Sequence, residues 1–157
     1  MADTHEYLVN TKFPEFSLYD DDEKLVCRAD IEGKWTVIFF YPKDDSPGCT
    51  LQSCSFRDQY EQFTEKGILL YGVSSDSISS HRSFKKKYNL QYSLLSDNNS
   101  ELAKSLKLKR NFGFLDARVT FVINPEGYIT YSYTSQLGVT GHVKKALKAI
   151  KIVENTL

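Results

Sequence analysis

The sequence has few of the features that mark several common protein classes. Among its 157 residues are only three cysteines, too few and odd in number for a secreted disulfide scaffold. Lysine plus arginine and aspartate plus glutamate both number 20, so no charge excess points to nucleic acid. The strongest apolar runs, 37–41 and 68–71, are far shorter than a membrane span, and the N-terminus lacks the apolar stretch of a secretory signal. We expect a soluble cytoplasmic protein that binds neither membranes nor nucleic acids.

The length and patterning favour one domain. A chain of 157 residues can bury a substantial hydrophobic core without disulfides or metals. No internal repeat and no stretch rich in proline or glycine divides it. Residues 1–157 are therefore predicted to form a single domain.

Hydrophobic periodicity predicts alternating strands and helices. Phe16–Tyr19 and Lys24–Cys27 flank an acidic turn and predict an N-terminal β-hairpin, and the apolar run Trp35–Tyr41 predicts a central strand buried on both faces. The remaining predicted elements are helix 48–65, strand 68–74, helix 76–88, strand 94–96, helix 99–106, hairpin strands 118–123 and 128–133, and helix 139–153. This order predicts an α/β protein of the thioredoxin-like type, with a mixed central sheet flanked by helices.

Residues suited to cysteine chemistry follow the predicted central strand. In open α/β sheets, reactive groups gather where the carboxyl end of a strand meets the N-terminus of a helix. That junction reads YPKDDSPGCT here and places Cys49 in or near a first helical turn. Free backbone N–H groups and the positive end of the helix dipole favour an anion there, and a thiolate is the obvious candidate. Ser46 offers a hydroxyl beside it, and Pro42 can fix the loop and shield the sulfur.

The spacing Pro42-x-x-x-Ser46-x-x-Cys49 resembles the Pro-x-x-x-(Thr/Ser)-x-x-Cys signature of peroxiredoxins. YPKDDSPGCT is especially similar to the bacterioferritin comigratory protein subfamily, also called peroxiredoxin Q. The blocks GVSSDSISSH, KYNLQYSLLSD and RVTFVINPEG extend the similarity from about Phe13 to the C-terminal helix. Four separated blocks argue against a chance match.

The resemblance implies a thiol peroxidase that reduces hydrogen peroxide and organic hydroperoxides. Cys49 would be the peroxidatic cysteine, which attacks a peroxide oxygen and becomes a sulfenic acid. Pro42 would limit solvent access, Ser46 would bind peroxide, and Arg118 would favour the thiolate and align the substrate. The resemblance implies no cofactor and no metal. It also implies thioredoxin or a similar dithiol carrier as reductant and favours a monomer.

The same resemblance assigns Cys54 as the resolving cysteine of an atypical 2-Cys peroxidase. It would condense with Cys49 to an intramolecular disulfide, which the carrier would then reduce. Residues five apart in an intact α-helix have Cα atoms about 8.6 Å apart. A disulfide tolerates at most about 7 Å. We therefore expect the first turns of the predicted helix to unwind when Cys49 and Cys54 join.

Other classes of function remain open from the residues alone. A general thioredoxin-type disulfide oxidoreductase would carry Cys-x-x-Cys, whereas this sequence has Cys-x4-Cys. A non-catalytic metal carrier or redox holdase on the same fold is a second alternative. For metal binding, the two clustered sulfurs and the scattered His5, His81 and His142 are few ligands.

Several residues also have plainer interpretations. We expect Cys27 to be a small packing residue and His81 to be a half-exposed helix residue with no catalytic role. Arg118 could instead form a structural ion pair with a carboxylate. The segment 106–117 looks shorter than the corresponding family segment. Its Phe112, Phe114 and Leu115 suit either a pocket for an organic hydroperoxide or local packing.

Overall fold

A seven-stranded mixed sheet organises the protein, whose computed structural model describes residues 4–108 and 117–156. The strands are β1 (Ser17–Asp20), β2 (Leu25–Cys27), β3 (Thr36–Phe40), β4 (Leu69–Ser74), β5 (Ser93–Ser96), β6 (Val119–Ile123) and β7 (Ile129–Thr134). The helices are α1 (Pro47–Asp58), α2 (Tyr60–Thr64), α3 (Ile78–Tyr88), α4 (Glu101–Ser105) and α5 (Gly141–Thr156), with short 3-10 turns at Glu6–Leu8 and Arg28–Ile31. Across the sheet the order is β2-β1-β5-β4-β3-β6-β7.

Strand β3 lies inside the sheet because every one of its side chains can be buried. Its sequence TVIFF is β-branched or aromatic throughout, and all five residues are buried. It pairs in parallel with β4 and antiparallel with β6, and Phe40 is opposite both Val73 and Val119. Strand β5 continues the parallel part beside β4, and the hairpin β1–β2 adds to β5.

The two faces of the sheet carry separate hydrophobic clusters. On one face, Phe39 stacks on Phe56 of α1 with ring centroids 4.3 Å apart, and α2, α3 and α5 contribute further apolar side chains. On the other face, Phe13 and Phe121 pack with residues of α4. Gly72 of β4 leaves room for the Phe39 ring, because a Cβ there would lie 2.9 Å from it.

The predicted thioredoxin-like α/β architecture is confirmed, and so are the mixed sheet and the N-terminal hairpin. The predicted continuous helix 48–65 is wrong, because α1 ends at Asp58 and α2 follows after Gln59. The carbonyl of Arg57 accepts a hydrogen bond from the Gln91 side chain at 3.3 Å, and the Gln59 amide turns back to Phe56 at 3.2 Å. These contacts replace the regular helical ladder at that point.

Some predictions fall outside the described residues or remain predictions. Phe112, Phe114 and Leu115 lie in the part of the chain that the structure does not describe. Within residues 4–108 and 117–156, none of the helices combines the length and apolar character needed to cross a bilayer. The single-domain organisation remains a prediction.

Candidate active site

The candidate site lies at the sheet edge where β3 ends and β6 begins. Because these strands run antiparallel with Phe40 opposite Val119, the loop after β3 lies beside Arg118, which immediately precedes β6. The sheet pairing thus brings Pro42, Ser46 and Cys49 to the same edge as a residue about 70 positions later in the chain.

The first turn of α1 leaves its positive end available to an anion. Ser46 is the N-cap residue and Pro47 is the first helical residue, as its fixed φ favours. The Ser46 hydroxyl does not cap the helix amides but donates to the Lys43 carbonyl at 2.9 Å. The amides of the first turn therefore have no side-chain cap, and Cys49 is the third residue of this turn.

Cys49 is completely buried and contacts both apolar and polar groups. It belongs to the cluster of Phe39, Tyr41 and Phe56. Its Sγ accepts a hydrogen bond from the Lys43 amide at 3.5 Å. Burial alone would penalise a charged sulfur, whereas this amide and the helix end both favour one. Pro42 is half-buried at the start of the same loop.

Arg118 supplies a buried positive charge against the helix. Only 4% of its surface is exposed, and its Nη2 lies 3.1 Å from where a Cβ of Gly48 would stand. Its Nε donates to the Gln136 carbonyl at 3.2 Å, and its Nη1 donates to the Gln52 side chain. Within residues 4–108 and 117–156, Arg118 makes no ion pair with a carboxylate.

Gln52 is a member of this site that the sequence reasoning did not assign. It is fully buried one turn after Cys49, on the same side of α1, and holds the Arg118 guanidinium through its Oε1. The signal was its position three residues after the candidate cysteine, but only the fold brings Arg118 within reach. Gln52 thereby connects the helix that carries Cys49 to the residue that precedes β6.

Cys54 lies in the same helix as Cys49, and both are free thiols. Cys54 is half-buried, and burial raises the pKa of its thiol, with a smaller opposing effect of Arg57. The helix is continuous from Pro47 to Asp58, so the two cysteines have the spacing of an intact helix. The two sulfurs thus belong to one continuous helix and are not bonded to each other.

The sequence predicts that His81 is half-exposed. In the structure it is completely buried. Helix α3 directs it into the protein, where its Nδ1 is 2.7 Å from the Asp44 carboxylate. Asp44, Asp76 and His81 form a cluster whose candidate ligand atoms lie within 4.8 Å of one another. These groups already hydrogen-bond to each other, to Ser74 and to Ser80. The sequence reasoning missed this cluster.

Cys27 lies away from the other cysteines, at the end of β2. Its Sγ is 3.2 Å from the Ser17 hydroxyl, and its amide donates to Asp30 at 2.7 Å at the start of a 3-10 turn. These local contacts are structural in kind, consistent with the expected packing residue.

The sheet and its helices are those of a thioredoxin-fold protein. A cysteine on the first helical turn after the central strand, near a buried arginine, gives this fold a candidate thiol site. Residues 9–132 match the model of the AhpC/TSA family. The chain belongs to this family, and the predicted resemblance to the peroxiredoxin Q and bacterioferritin comigratory proteins is confirmed.

Individual relatives agree with this membership. Wheat (Triticum aestivum) chloroplastic peroxiredoxin Q is 40% identical over 139 residues, covering 88% of this chain but 64% of that protein. The putative peroxiredoxin bcp of Coxiella burnetii is 38% identical over 145 residues, covering 88% of this chain and 95% of the relative. The crystal structure of peroxidoxin BcpB from Mycobacterium tuberculosis superposes with a TM-score of 0.85 at 28% identity, covering 92% and 97% of the two chains. Because the relatives include chloroplastic and bacterial proteins, the cytoplasmic location remains a prediction.

Replacing Arg118 by methionine should slow alkylation of Cys49 by iodoacetamide at pH 7. The alkylation rate should fall about tenfold, because removing a unit positive charge near a buried thiolate destabilises the thiolate by an energy that corresponds to a change of that order. The measurement uses protein in which Cys27 and Cys54 are serine, so that only one thiol reacts. Arg57→Met, which removes an arginine farther along α1, is the control and should leave the rate unchanged. Equal rates for both variants would remove Arg118 from the site.

The pKa shift of Cys54 gives a pH prediction. In a variant with Cys27 and Cys49 replaced by serine, alkylation of folded Cys54 should reach half its maximal rate at a higher pH than in urea. The reason is that burial favours the neutral thiol and is lost on unfolding. A folded-state midpoint at or below the unfolded one, near about 8.5, would contradict this.

Proposed function

We propose that this protein is a thiol peroxidase that reduces hydrogen peroxide and organic hydroperoxides through Cys49. The observation that carries the proposal is the environment of Cys49. Its sulfur lies at the start of α1, accepts a hydrogen bond from the Lys43 amide, and is near the buried Arg118. Membership of the AhpC/TSA family and the similarity to proteins named peroxiredoxin Q support it. The chain spans about 64% of the length of the wheat relative, so the activity rests on the site and not on that protein's name.

In the first step, the Cys49 thiolate attacks one oxygen of the hydroperoxide. A sulfur–oxygen bond forms, the oxygen–oxygen bond breaks, and the leaving oxygen takes up a proton as water or an alcohol. The cysteine becomes a sulfenic acid, so the sulfur is oxidised by two electrons and the peroxide is reduced by two. Arg118 would stabilise the charge that develops on the leaving oxygen, since three of its five N–H donors remain after its two hydrogen bonds.

Pro42 and Ser46 would shape the entrance to this sulfur. Half-buried Pro42 would limit solvent access to Cys49. The proton of the Ser46 hydroxyl is directed at the Lys43 carbonyl, so the hydroxyl oxygen would accept a hydrogen bond from the peroxide. The hydrogen bond from Ser46 to the Lys43 carbonyl also fixes the loop in which the Lys43 amide faces the sulfur.

In the second step, Cys54 would attack the sulfenic sulfur and release water, giving a Cys49–Cys54 disulfide. An external dithiol would then reduce this disulfide by thiol exchange, and thioredoxin or a similar carrier has the required chemistry. Such a protein is an atypical 2-Cys peroxidase that needs no metal or organic cofactor. A monomer suffices, because both cysteines lie on one chain.

Formation of this disulfide requires α1 to open, and the helix contains features that lower the cost. Thr50 Oγ1, Gln52 Nε2 and Ser53 Oγ are buried with no hydrogen-bond partner among the described residues. A buried polar atom without a partner costs about 1–3 kcal/mol. Exposing these groups to water would offset part of the packing lost on opening. All three lie between the two cysteines.

Consumption of NADPH, coupled through thioredoxin and its reductase, tests the activity. We expect the protein to consume NADPH in step with added peroxide. A general disulfide oxidoreductase would consume it with a disulfide substrate instead, and a metal carrier or holdase would not consume it. Cys49→Ser should abolish turnover, because no other cysteine lies at the helix N-terminus.

The two remaining cysteines provide matched controls for that assay. Cys54→Ser should keep the peroxide reaction at Cys49 but accumulate a sulfenic acid or a mixed disulfide, visible in the intact mass. Cys27→Ser should change turnover by less than about twofold, because its contacts lie at β2. A large loss in Cys27→Ser would mean that the resolving thiol has been misassigned.

Amide hydrogen exchange tests the opening of α1. In protein oxidised by one equivalent of peroxide, residues 49–56 should lose protection, because the disulfide cannot form across an intact helix. Residues 78–88 of α3 serve as the internal reference and should keep theirs. Unchanged protection across 49–56 in disulfide-bonded protein would rule the opening out.

A further inference from the structure

A buried polar cluster connects the loop before Cys49 to helix α3. The cluster consists of Tyr41, Asp44, Asp76, Ser80 and His81, and we call it the Asp44 cluster. Asp44 lies in the loop between Pro42 and Ser46, is 6% exposed, and has its carboxylate directed away from solvent. A buried carboxylate is costly unless its oxygens are hydrogen-bonded, so its partners determine what it does.

Both carboxylate oxygens of Asp44 accept hydrogen bonds. Oδ1 accepts from the Tyr41 hydroxyl at 2.6 Å. Oδ2 accepts from the Ser80 hydroxyl at 2.8 Å and lies 2.7 Å from His81 Nδ1. Burial, and then the charge of Asp44, raise the pKa of Tyr41, so that its hydroxyl remains a donor. Three side chains thus hold the Asp44 carboxylate in place.

Both ring nitrogens of His81 face hydrogen-bond acceptors. Nε2 is 3.0 Å from the Leu95 carbonyl, which only accepts, so this nitrogen carries a hydrogen. Nδ1 faces a carboxylate that already accepts from two hydroxyl groups, and a hydrogen on Nδ1 completes that set. His81 therefore bridges the Asp44 carboxylate and the Leu95 carbonyl inside the protein.

The Asp44 cluster also fixes the peptide next to the one whose amide reaches Cys49. The amide of Asp44 donates to Asp76 Oδ2 at 2.8 Å, and the carbonyl of the same peptide, on Lys43, accepts from Ser46. The preceding amide, of Lys43, donates to Cys49 Sγ. Both ends of Asp44 are thus held, and the amide one residue before it is the donor to the sulfur.

We propose that Asp44 and His81 are a positioning pair for Cys49, which holds the Lys43 amide on the sulfur while His81 cancels the charge of the Asp44 carboxylate. The proposal rests on the proposed function, since it assigns roles toward the sulfur that reacts with peroxide. Neither residue touches substrate. Asp76 adds a second carboxylate to the cluster, but it is half-exposed and so is partly screened by solvent.

The charge balance makes the proposal distinct from simple packing. An Asp44 carboxylate without a charge partner, in the loop whose Lys43 amide donates to Cys49, would oppose a thiolate there. Removing His81 alone leaves that charge, whereas removing the charge of Asp44 as well relieves it. The double variant should therefore be less impaired than the single His81 variant, which lost packing alone cannot produce.

The experiment measures three quantities in His81→Leu, Asp44→Asn and the double variant. These are the midpoint pH of Cys49 alkylation, the second-order rate constant for hydrogen peroxide, and the folded fraction by circular dichroism. The alkylation midpoint is determined with Cys27 and Cys54 replaced by serine. We expect His81→Leu to raise that midpoint by about one pH unit and to lower the rate constant at pH 7 about tenfold. The double variant should recover to within about threefold of Asp44→Asn.

Two further variants keep the test sharp. Asp45→Asn is the matched control, because Asp45 ties the same loop to α3 through Lys87 and Tyr88 but is exposed, and it should behave as the parent protein. If His81→Leu does not fold, His81→Gln retains a side-chain donor without the charge, and the same comparison with its double variant applies. In the Asp45→Asn control the backbone is not strained, because asparagine tolerates the positive φ of 60° at position 45.

Folded His81 variants with parental rate constants and midpoints would overturn the proposal, and so would a double variant as impaired as the single one. The proposed function fails in a different way. In that case the parent protein itself does not consume peroxide, while the alkylation midpoints can still be compared.

Discussion

The site depends on the pairing of β3 with a strand on each side. Phe40 at its end is opposite Val73 of β4 and Val119 of β6. This register brings the carboxyl ends of β3 and β4 and the start of β6 to one edge. Cys49, the Asp44 cluster and Arg118 enter that edge from different elements. A slip of one residue would turn every side chain of the strand to the opposite face, so the register of β6 also fixes the approach of Arg118.

Under the proposed function, helix α1 has two opposing requirements. To seat Cys49 it must be ordered, because the amide donors and the helix end act only in a formed first turn. To let Cys54 reach Cys49 it must open. The stacking of Phe56 on Phe39 fixes the helix beyond the cysteines, while the polar atoms between them are poorly satisfied. The strong packing and the weak hydrogen bonding thus lie on successive turns of one element.

The sequence predicted the strands and the position of Cys49 well, because continuous apolar runs and the Pro-Gly start of α1 are local signals. The break at Gln59 has no comparable local signal, and the side chain that contacts the Arg57 carbonyl there, Gln91, is distant in sequence. His81 was misjudged for the same reason. Its neighbours in the chain are polar, and only the closure of α3 over the loop places it against Asp44. Gln52 likewise acquires a role only when β6 brings Arg118 beside it.

The continuity of α1 has a kinetic consequence under the proposed function. A sulfenic acid on Cys49 must wait for the helix to open before Cys54 can capture it, so the opening frequency sets its lifetime. During that interval a second peroxide molecule competes for the same sulfur and would carry it to the sulfinic acid, which thiols do not reverse. The strength of a few side-chain contacts along one helix would then decide how much oxidant the protein withstands before it is inactivated.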